Sequence, residues 1–415
     1  MSIKILHTSD WHLGQYFHKQ KSRNEEHAQF IQWLLKQVKV HHIDAVIIAG
    51  DIFDIGAPPS YARKQYAQFI SHMHALECQL IILAGNHDSV SMLDESKPLT
   101  EHLHVHIISD IDTQDIEKQV IVLKNRQDQA AALVCAIPYL RPQSLISSAA
   151  GQSSLVKHQA LQEAITEHYQ DTFRFAQSMR EQIKQPLPII ATGHLTACNI
   201  QKTGSERDIY IGTLEAYPAG AFPQADYIAL GHIHRPQVVA QQSHIRYCGS
   251  PIPLSFDELN HDKQVLIAEF EASQLKQVHE IKVPRFQPMQ VMKGTLAAIQ
   301  NQLESFEFHE KDPRVWLKVE VDLSDSTRAE MMRAIHAWTE QYPIEILQNS
   351  VMKQVDAKLT RRAPHEQLQD LKPEDVFEKR LSQEQADTEG KKAQMNRLRT
   401  SFKRIVHQIQ VESHR

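Results

Sequence analysis

Cysteine is scarce: only Cys78, Cys135, Cys198 and Cys248 occur in 415 residues, far apart and without a CxxC pair. That spacing excludes a disulfide framework and a thiolate zinc site, and it suits a reducing compartment. Positive charge is not in excess either. Lys and Arg number 45 against 50 Asp and Glu, a formal net charge of −5, so the chain does not coat polyanions by bulk charge and any nucleic-acid contact is local. No run approaches the ~18 apolar residues of a membrane-spanning helix. The chain enters strand-like Ile3-Lys4-Ile5-Leu6 without a basic, apolar leader, which leads to the expectation of a cytoplasmic protein. Internal repeats and low-complexity tracts are missing, as is a GxxxxGKS/T phosphate loop, so any ATP dependence must come from a partner. What the chain does have is length for two or three domains, a globular balance of apolar and charged residues, and 25 histidines, the side chain best suited to ligate metals and move protons near neutral pH.

Short apolar runs punctuate the first ~260 residues and read as buried strands: Ile3–Leu6, Ala45–Ala49, Gln79–Ala84, Pro188–Ala191 and Tyr227–Leu230. Between the first two, Phe30, Ile31, Leu34, Leu35 and Val38 fall at helical spacing, and Tyr66, Phe69, Ile70 and Met73 do so between the next two. Strand alternating with helix predicts an α/β core. The polar stretch from Ser144 to about Gln185, with a helical part over Leu161–Met179, is read as an insertion or surface helix. After Phe256 the character changes: a helix over Leu296–Phe306, a strand with Val315, Leu317, Val319, Val321 and Leu323 on one face and Trp316, Lys318, Glu320 and Asp322 on a half-exposed other, a helix starting at Ser324–Thr327, and an apolar segment Ile344–Leu347. These make a separate, small α+β domain. The boundaries expected are 1–265, 270–355 and a helical tail over 363–415, with Pro373 a helix start.

Each apolar run of the first part ends in a potential metal ligand. Leu6 leads to Asp10-Trp11-His12, Ala49 to Gly50-Asp51, and Ala84 to Gly85-Asn86-His87-Asp88; the later two end in Gly193-His194 and Gly231-His232-Ile233-His234. Sites in α/β sheets assemble beyond the carboxyl ends of strands, so residues more than 220 positions apart can converge there. Glycine before the polar residue in four of the five blocks suits a tight strand exit with close backbone approach. Two Asp, one Asn and four His offer oxygen and nitrogen donors without thiolate, which suits Mn, Fe or Zn. Seven donors exceed one tetrahedral site and match two ions sharing a bridging carboxylate, the arrangement that stabilises attacking and leaving oxygens in phosphoester hydrolysis.

The five blocks resemble the calcineurin-like metallophosphoesterases, whose motifs run DxH, GD, GNH, GH and GHxH in that order. The resemblance implies an α/β (α+β) sandwich of mixed sheets flanked by helices, with the small α+β domain as a capping domain. It also implies that Asp10, His12, Asp51 and His234 hold one ion, that Asp51, Asn86, His194 and His232 hold the other, and that Asp51 bridges. His87 corresponds to the family's non-ligand histidine, which assists the transferring phosphoryl group or protonates the leaving oxygen. Asp88 either orients His87 or caps a strand end.

Further stretches resemble the SbcD family of bacterial nuclease subunits: Thr8–Gly14, Gly50–Asp54, Ile137–Pro142, Ser205-Glu206-Arg207-Asp208 and Tyr247–Pro251. This implies a Mn2+-dependent exonuclease and endonuclease on double-stranded DNA ends and hairpins, in break repair and recombination, forming a homodimer within a heterotetramer with an SbcC-like SMC ATPase. Related nucleases commonly carry histidine where this chain has Asp54, so no DNA-processing role is assigned there and a cap on the following turn is the alternative. Arg63, Lys64, Arg141, Arg207 and Arg235 can neutralise phosphates or remain solvated charges. In the tail, Met395, Leu398, Phe402, Ile405 and Ile409 form one helical stripe that packs on its own chain or on a partner's coiled coil. His102, His104 and His106 alternate and read as one face of a surface strand. The competing functions are a small-molecule or cyclic-nucleotide phosphodiesterase on the same fold and a non-enzymatic scaffold; a phosphoprotein phosphatase is disfavoured because Asp54-Ile55-Gly56 stands where Asp-Arg-Gly is usual.

Overall fold

The structure, a computed structural model, describes residues 2–100, 102–113, 115–146, 154–198, 200–203, 205–206, 216–309, 313–352, 397–399 and 401–402. Two six-stranded sheets form the body. The first runs in the order Gln274–Lys282, Gln264–Glu271, Ser2–Thr8, Ala45–Ala49, Gln79–Leu83, Val105–Ile108, the last four parallel and the first two an antiparallel hairpin. The second runs Gln237–Val239, Gln242–Tyr247, Tyr227–Gly231, Ile189–His194, Ala130–Cys135, Val120–Lys124, with parallel strands in the middle and an antiparallel strand at each edge. The hairpin spans the expected boundary at 265–270 and belongs to the first sheet.

The two sheets pack face to face through Ile3, Ile5, Ile47 and Ile81 on one side and Val134, Ile190, Tyr227 and Ala229 on the other. Their outer faces carry helices. Asn24–Val40 and Ser60–Ala75 bury Phe30, Leu34, Phe69 and Met73 against Leu6, Val46, Ile48 and Leu80. A strand covered on both faces has no side to leave polar, which is why Ala45–Ala49 is apolar without alternation.

One expectation is corrected here. Ser154–Ile183 is not an insertion or surface helix but the outer layer of the second sheet: Leu161, Ile165, Tyr169, Phe173 and Ala176 are buried against Leu133, Ile189, Ala191 and Ile228. Its apolar stripe is narrow, spaced 4, 4, 4 and 3, and Gln, Glu and Arg elsewhere on the helix mask it. The histidine trio is also corrected: only His106 lies in the strand Val105–Ile108, and His104 precedes it with φ 55°, so the three share no strand face.

Beyond the hairpin, Met289–Gly294, Val315–Val321 and Ile344–Val351 form an all-parallel sheet whose crossovers are the helices Leu296–Glu304 and Arg328–Gln341. The second helix begins as expected, at Thr327, whose hydroxyl and Glu330 form a reciprocal capping box. The helices cover Leu317, Val319 and Val321. The opposite face is less exposed than its alternation suggests: Trp316 is buried with Phe17, Phe256, Met289 and Leu347, and stacks on Phe17 at 5.3 Å between ring centroids. Lys21 and Glu345 add an ion pair at 2.5 Å.

Residues Met1–Met352 form one compact unit and Lys353–Arg415 a second. Of the second, 397–399 and 401–402 are described, as helix; the remainder of the expected tail stripe lies outside the described residues, as does Arg207. No helix among the described residues is long and apolar enough to cross a membrane.

Candidate metal centre

The carboxyl ends of five central strands meet at one edge of the sandwich. Ser2–Thr8 and Ala45–Ala49 pair in parallel, and their exits stay zipped: Asp10 N–H donates to Gly50 O (3.0 Å), His12 N–H to Asp51 O (3.1 Å) and Leu13 N–H to Ile52 O (2.8 Å). In the second sheet His194 and Gly231 are register partners, so His232 and His234 emerge beside His194. The sheets close tightly here, because a Cβ on Gly231 would sit 1.8 Å from Ala49 O, and one on Gly85 would sit 2.1 Å from Asp51 Oδ1. Only glycine permits those approaches.

All seven expected donors are brought together. Potential ligand atoms of Asp10, His12 and His234 lie within 4.8 Å of one another, as do those of Asp51, His194 and His232. Asp51 Oδ2 lies 3.6 Å from His12 Nε2 and 3.3 Å from His194 Nε2, so it stands between the two groups. Asn86 Oδ1 is 3.0 Å from His194 Nε2. Asp10, His12, Asp51 and His232 all have positive φ, from 48° to 91°, a region that costs non-glycine residues about 1–3 kcal/mol each and that concentrates at functional sites.

Around these donors the chain fixes orientation. His232 N–H donates to Asp10 Oδ1 (2.9 Å), and His194 Nδ1–H donates to Ala49 O (2.9 Å), leaving Nε2 toward Asp51 and Asn86. Burial alone would raise the Asp51 carboxyl, but His194 and then His12 and His87 hold it well below the usual range. Burial drives His232 well below an ordinary histidine, and His194 pushes it the same way, so His232 is neutral with a lone pair to offer. His232 Nε2 and His12 Nε2 are buried without a hydrogen-bond partner. Buried ring nitrogens without partners, beside the Asp51 carboxylate, are groups that a cation would satisfy.

His87 is adjacent. Its backbone N–H donates to Asp51 Oδ1 (2.9 Å), its Nδ1–H to Asp54 O (2.7 Å), and its ring lies 4.7 Å from that of His12. Asp54 reaches the site itself: it holds His87 through its carbonyl, and its Oδ1 lies 3.3 Å from His12 Nδ1. Asp88 is buried and accepts from three backbone N–H groups, Gly85 (2.8 Å), Phe53 (2.9 Å) and Ile52 (3.1 Å), tying two strand exits together. That resolves its alternatives in favour of a cap on strand exits. Burial, then the Asp51 charge, raises its carboxyl to about 6 against those bonds. Arg141 stacks over Tyr139 and donates to Asp88 O (3.0 Å), so it is partly committed to structure. Sequence reasoning missed Glu258, which lies 3.3 Å from His234 Nδ1; nothing local marks it.

A family profile described as calcineurin-like phosphoesterase matches residues 3–236, and one described as type 5 capsule protein repressor C-terminal domain matches 285–385. The chain is 43% identical over 407 residues to the SbcD subunit of nuclease SbcCD from Escherichia coli (strain K12), covering 98% of each, and 29% identical to that of Rhodobacter capsulatus, covering 90% of this chain and 93% of the relative. A dimetal phosphatase from Danio rerio matches with a TM-score of 0.38 at 12% identity, over 68% of this chain and 97% of that one, a likeness too slight to carry an argument. The family implies divalent metal ions, and the oxygen and nitrogen donors with unpartnered His12 and His232 nitrogens fit them. The chain belongs to the calcineurin-like phosphoesterases and, within them, to the SbcD family of SbcCD nuclease subunits.

Proposed function

We propose that this chain is a Mn2+-dependent nuclease that cuts double-stranded DNA ends and hairpins, with exonuclease and endonuclease modes. Asp10, His12, Asp51 and His234 would hold one ion, and Asp51, Asn86, His194 and His232 the other. When bound, such a pair lowers the pKa of water and neutralises charge on the attacking and leaving oxygens of an in-line displacement. The observation that carries the reading is the position of Asp51, held ionised between His12 and His194 where five strand ends converge.

The chain's own residues supply the rest. Asp51 keeps His87 at the edge of the site through the His87 backbone, and Asp54 O keeps the proton on Nδ1. Nε2 is then the ring position that, when protonated, passes its proton to the leaving oxygen. Zipping of the exits at Asp10–Leu13 and Gly50–Ile52 holds the donors against displacement by substrate. In this reading residues 270–355 cap the DNA over the site, and 363–415 dock on an SbcC-like SMC ATPase in a heterotetramer containing two copies of this chain. A cytoplasmic setting is in keeping with four free cysteines.

The test is cleavage of a labelled hairpin-ended duplex by the purified chain in Mn2+, Mg2+ or EDTA, with His87→Leu as control. Mn2+-dependent cutting that the variant loses supports the reading. Hydrolysis of a cyclic nucleotide or aryl phosphodiester with intact DNA would replace it with a small-molecule phosphodiesterase, and a chain that binds no metal at micromolar Mn2+ would replace it with a scaffold.

A further inference from the structure

Behind His234 lies a polar cluster that the site chemistry leaves unexplained. Glu258, in the single turn Phe256–Asn260, is buried together with Lys263, and the two form an ion pair at 2.5 Å. A buried pair is expensive to desolvate, so its retention at this place asks for a reason beyond stability. Its geometry supplies one. Glu258 Oε1 lies 3.3 Å from His234 Nδ1 and accepts from Ser205 Oγ, while Ser205 Oγ is itself 2.7 Å from His234 Nδ1. Lys263 Nζ donates to His234 O (3.0 Å), and His234 N–H donates to Glu206 Oε1 (2.9 Å). Thus the ring nitrogen, the backbone N–H and the carbonyl of one histidine are all held by ionisable or hydroxyl side chains.

We infer that Glu258 is a positioning residue for His234: it fixes the Nδ1–H tautomer, with Lys263 compensating its charge, so that Nε2 is the nitrogen presented to a divalent ion. A hydroxyl between two acceptor-capable groups is ambiguous, and the carboxylate removes the ambiguity. Ser205 spends its proton on Glu258 and offers a lone pair to Nδ1–H. Without Glu258, Ser205 is free to donate to Nδ1 and move the ring proton to Nε2, where it would block a cation. A carboxylate behind a ligating imidazole also makes the imidazole a stronger donor. The contrast with His194 is direct, because its Nδ1–H is backed by the neutral carbonyl of Ala49. This also gives the Ser205-Glu206 pair, which stood out in the sequence without a role, a specific task.

The inference rests on the reading of His234 as a ligand, and the experiment separates the two. Mn2+ titrations of the full chain, followed by calorimetry and by the electron paramagnetic resonance of the exchange-coupled ion pair, are compared for wild type, His234→Ala, Glu258→Gln and the double variant Glu258→Leu/Lys263→Met. The double variant leaves no unpaired buried charge and is the safeguard should the single change fail to fold. Two-bond proton–nitrogen spectra of the metal-free, histidine-labelled proteins report the tautomer, a property that loss of packing alone would not change. The expected result is loss of one ion in His234→Ala, and in the double variant a ~10–100-fold weaker affinity for one of two ions with the His234 proton shifted from Nδ1 toward Nε2. Glu258→Gln, which keeps an acceptor, should restore the tautomer and part of the affinity. Wild-type affinity for both ions with an unchanged tautomer in the double variant overturns the inference. Two ions bound at wild-type affinity by His234→Ala overturns the ligand reading instead.

Discussion

At Asp51 a single carboxylate receives the His87 backbone N–H on one oxygen and faces two imidazoles with the other, so removing it should undo both the cation seat and the placement of His87. Asp51→Ala is expected to lose bound metal and cleavage together. His87→Leu is expected to keep the metal and lose ~10²-fold or more in cleavage rate, the size of a general-acid contribution. Metal analysis beside the hairpin assay checks this, and equal metal loss in both variants would sink the division of roles. His7 offers a pH test away from the donors. It is buried between the sheets with Nδ1 3.0 Å from Tyr227 Oη, and burial foremost, then Arg246, brings it down to about 3. An unfolded His7 titrates at ~6.5, so its contribution is complete above that pH and is lost as pH falls toward 3, at up to ~1.4 kcal/mol per pH unit. Denaturant melts between pH 7 and 5 should show a shallower slope in His7→Phe, despite a lower starting stability; parallel slopes would refute this. The convergence of the seven expected donors was legible in the sequence because each is a chemically distinctive residue at or just past a strand end. The contacts of Asp54 and Glu258 were not, since Asp54 meets His87 through its carbonyl and His12 through Oδ1, and Glu258 reaches a histidine 24 positions away across a turn.

Among elements, the short strand Tyr16–Phe17 and the turn Phe256–Asn260 occupy a revealing place: both lead from the donor region, and both supply an aromatic ring to the seat of Trp316. Trp316→Ala should cost ~3 kcal/mol, typical of removing a large buried ring, and should do so unevenly. Amide exchange is expected to quicken over 289–351 and over 16–22, with the inner strands of the two large sheets unchanged. Uniform quickening, or none, would show that the small sheet is held by other contacts. The elements themselves were read best where local pattern suffices, as at the helix expected to start at Ser324–Thr327, which the structure starts at Thr327 with a capping box to Glu330. They were read worst where tertiary context decides. The stripe of Ser154–Ile183 looks sparse until the sheet it covers is known, and Trp316 looks half exposed until Phe17 is laid upon it.

For the whole molecule, the sandwich explains how donors from residues 10 to 234 share one edge, since parallel strands in both sheets point their exits the same way. Deleting 363–415 is expected to weaken binding to an SMC-type ATPase, measured in a pull-down, while basal hairpin cleavage persists because no donor lies there. A folded but inactive truncation would assign the tail to the catalytic unit. An α/β core and the convergence of the expected donors were within reach of sequence patterns, and the sandwich of the family resemblance; the pairing of Ser2–Thr8 with Gln264–Glu271 was not, because it joins two segments over 250 residues apart. The left-handed backbone at Asp10, His12, Asp51 and His232 sets endurance against usefulness. Glycine would relax the backbone at all four, yet at Asp10 and Asp51 it would also remove the acceptors that hold the His232 and His87 backbone N–H groups. What relaxing one residue gains in heat tolerance, loosening its neighbour takes back.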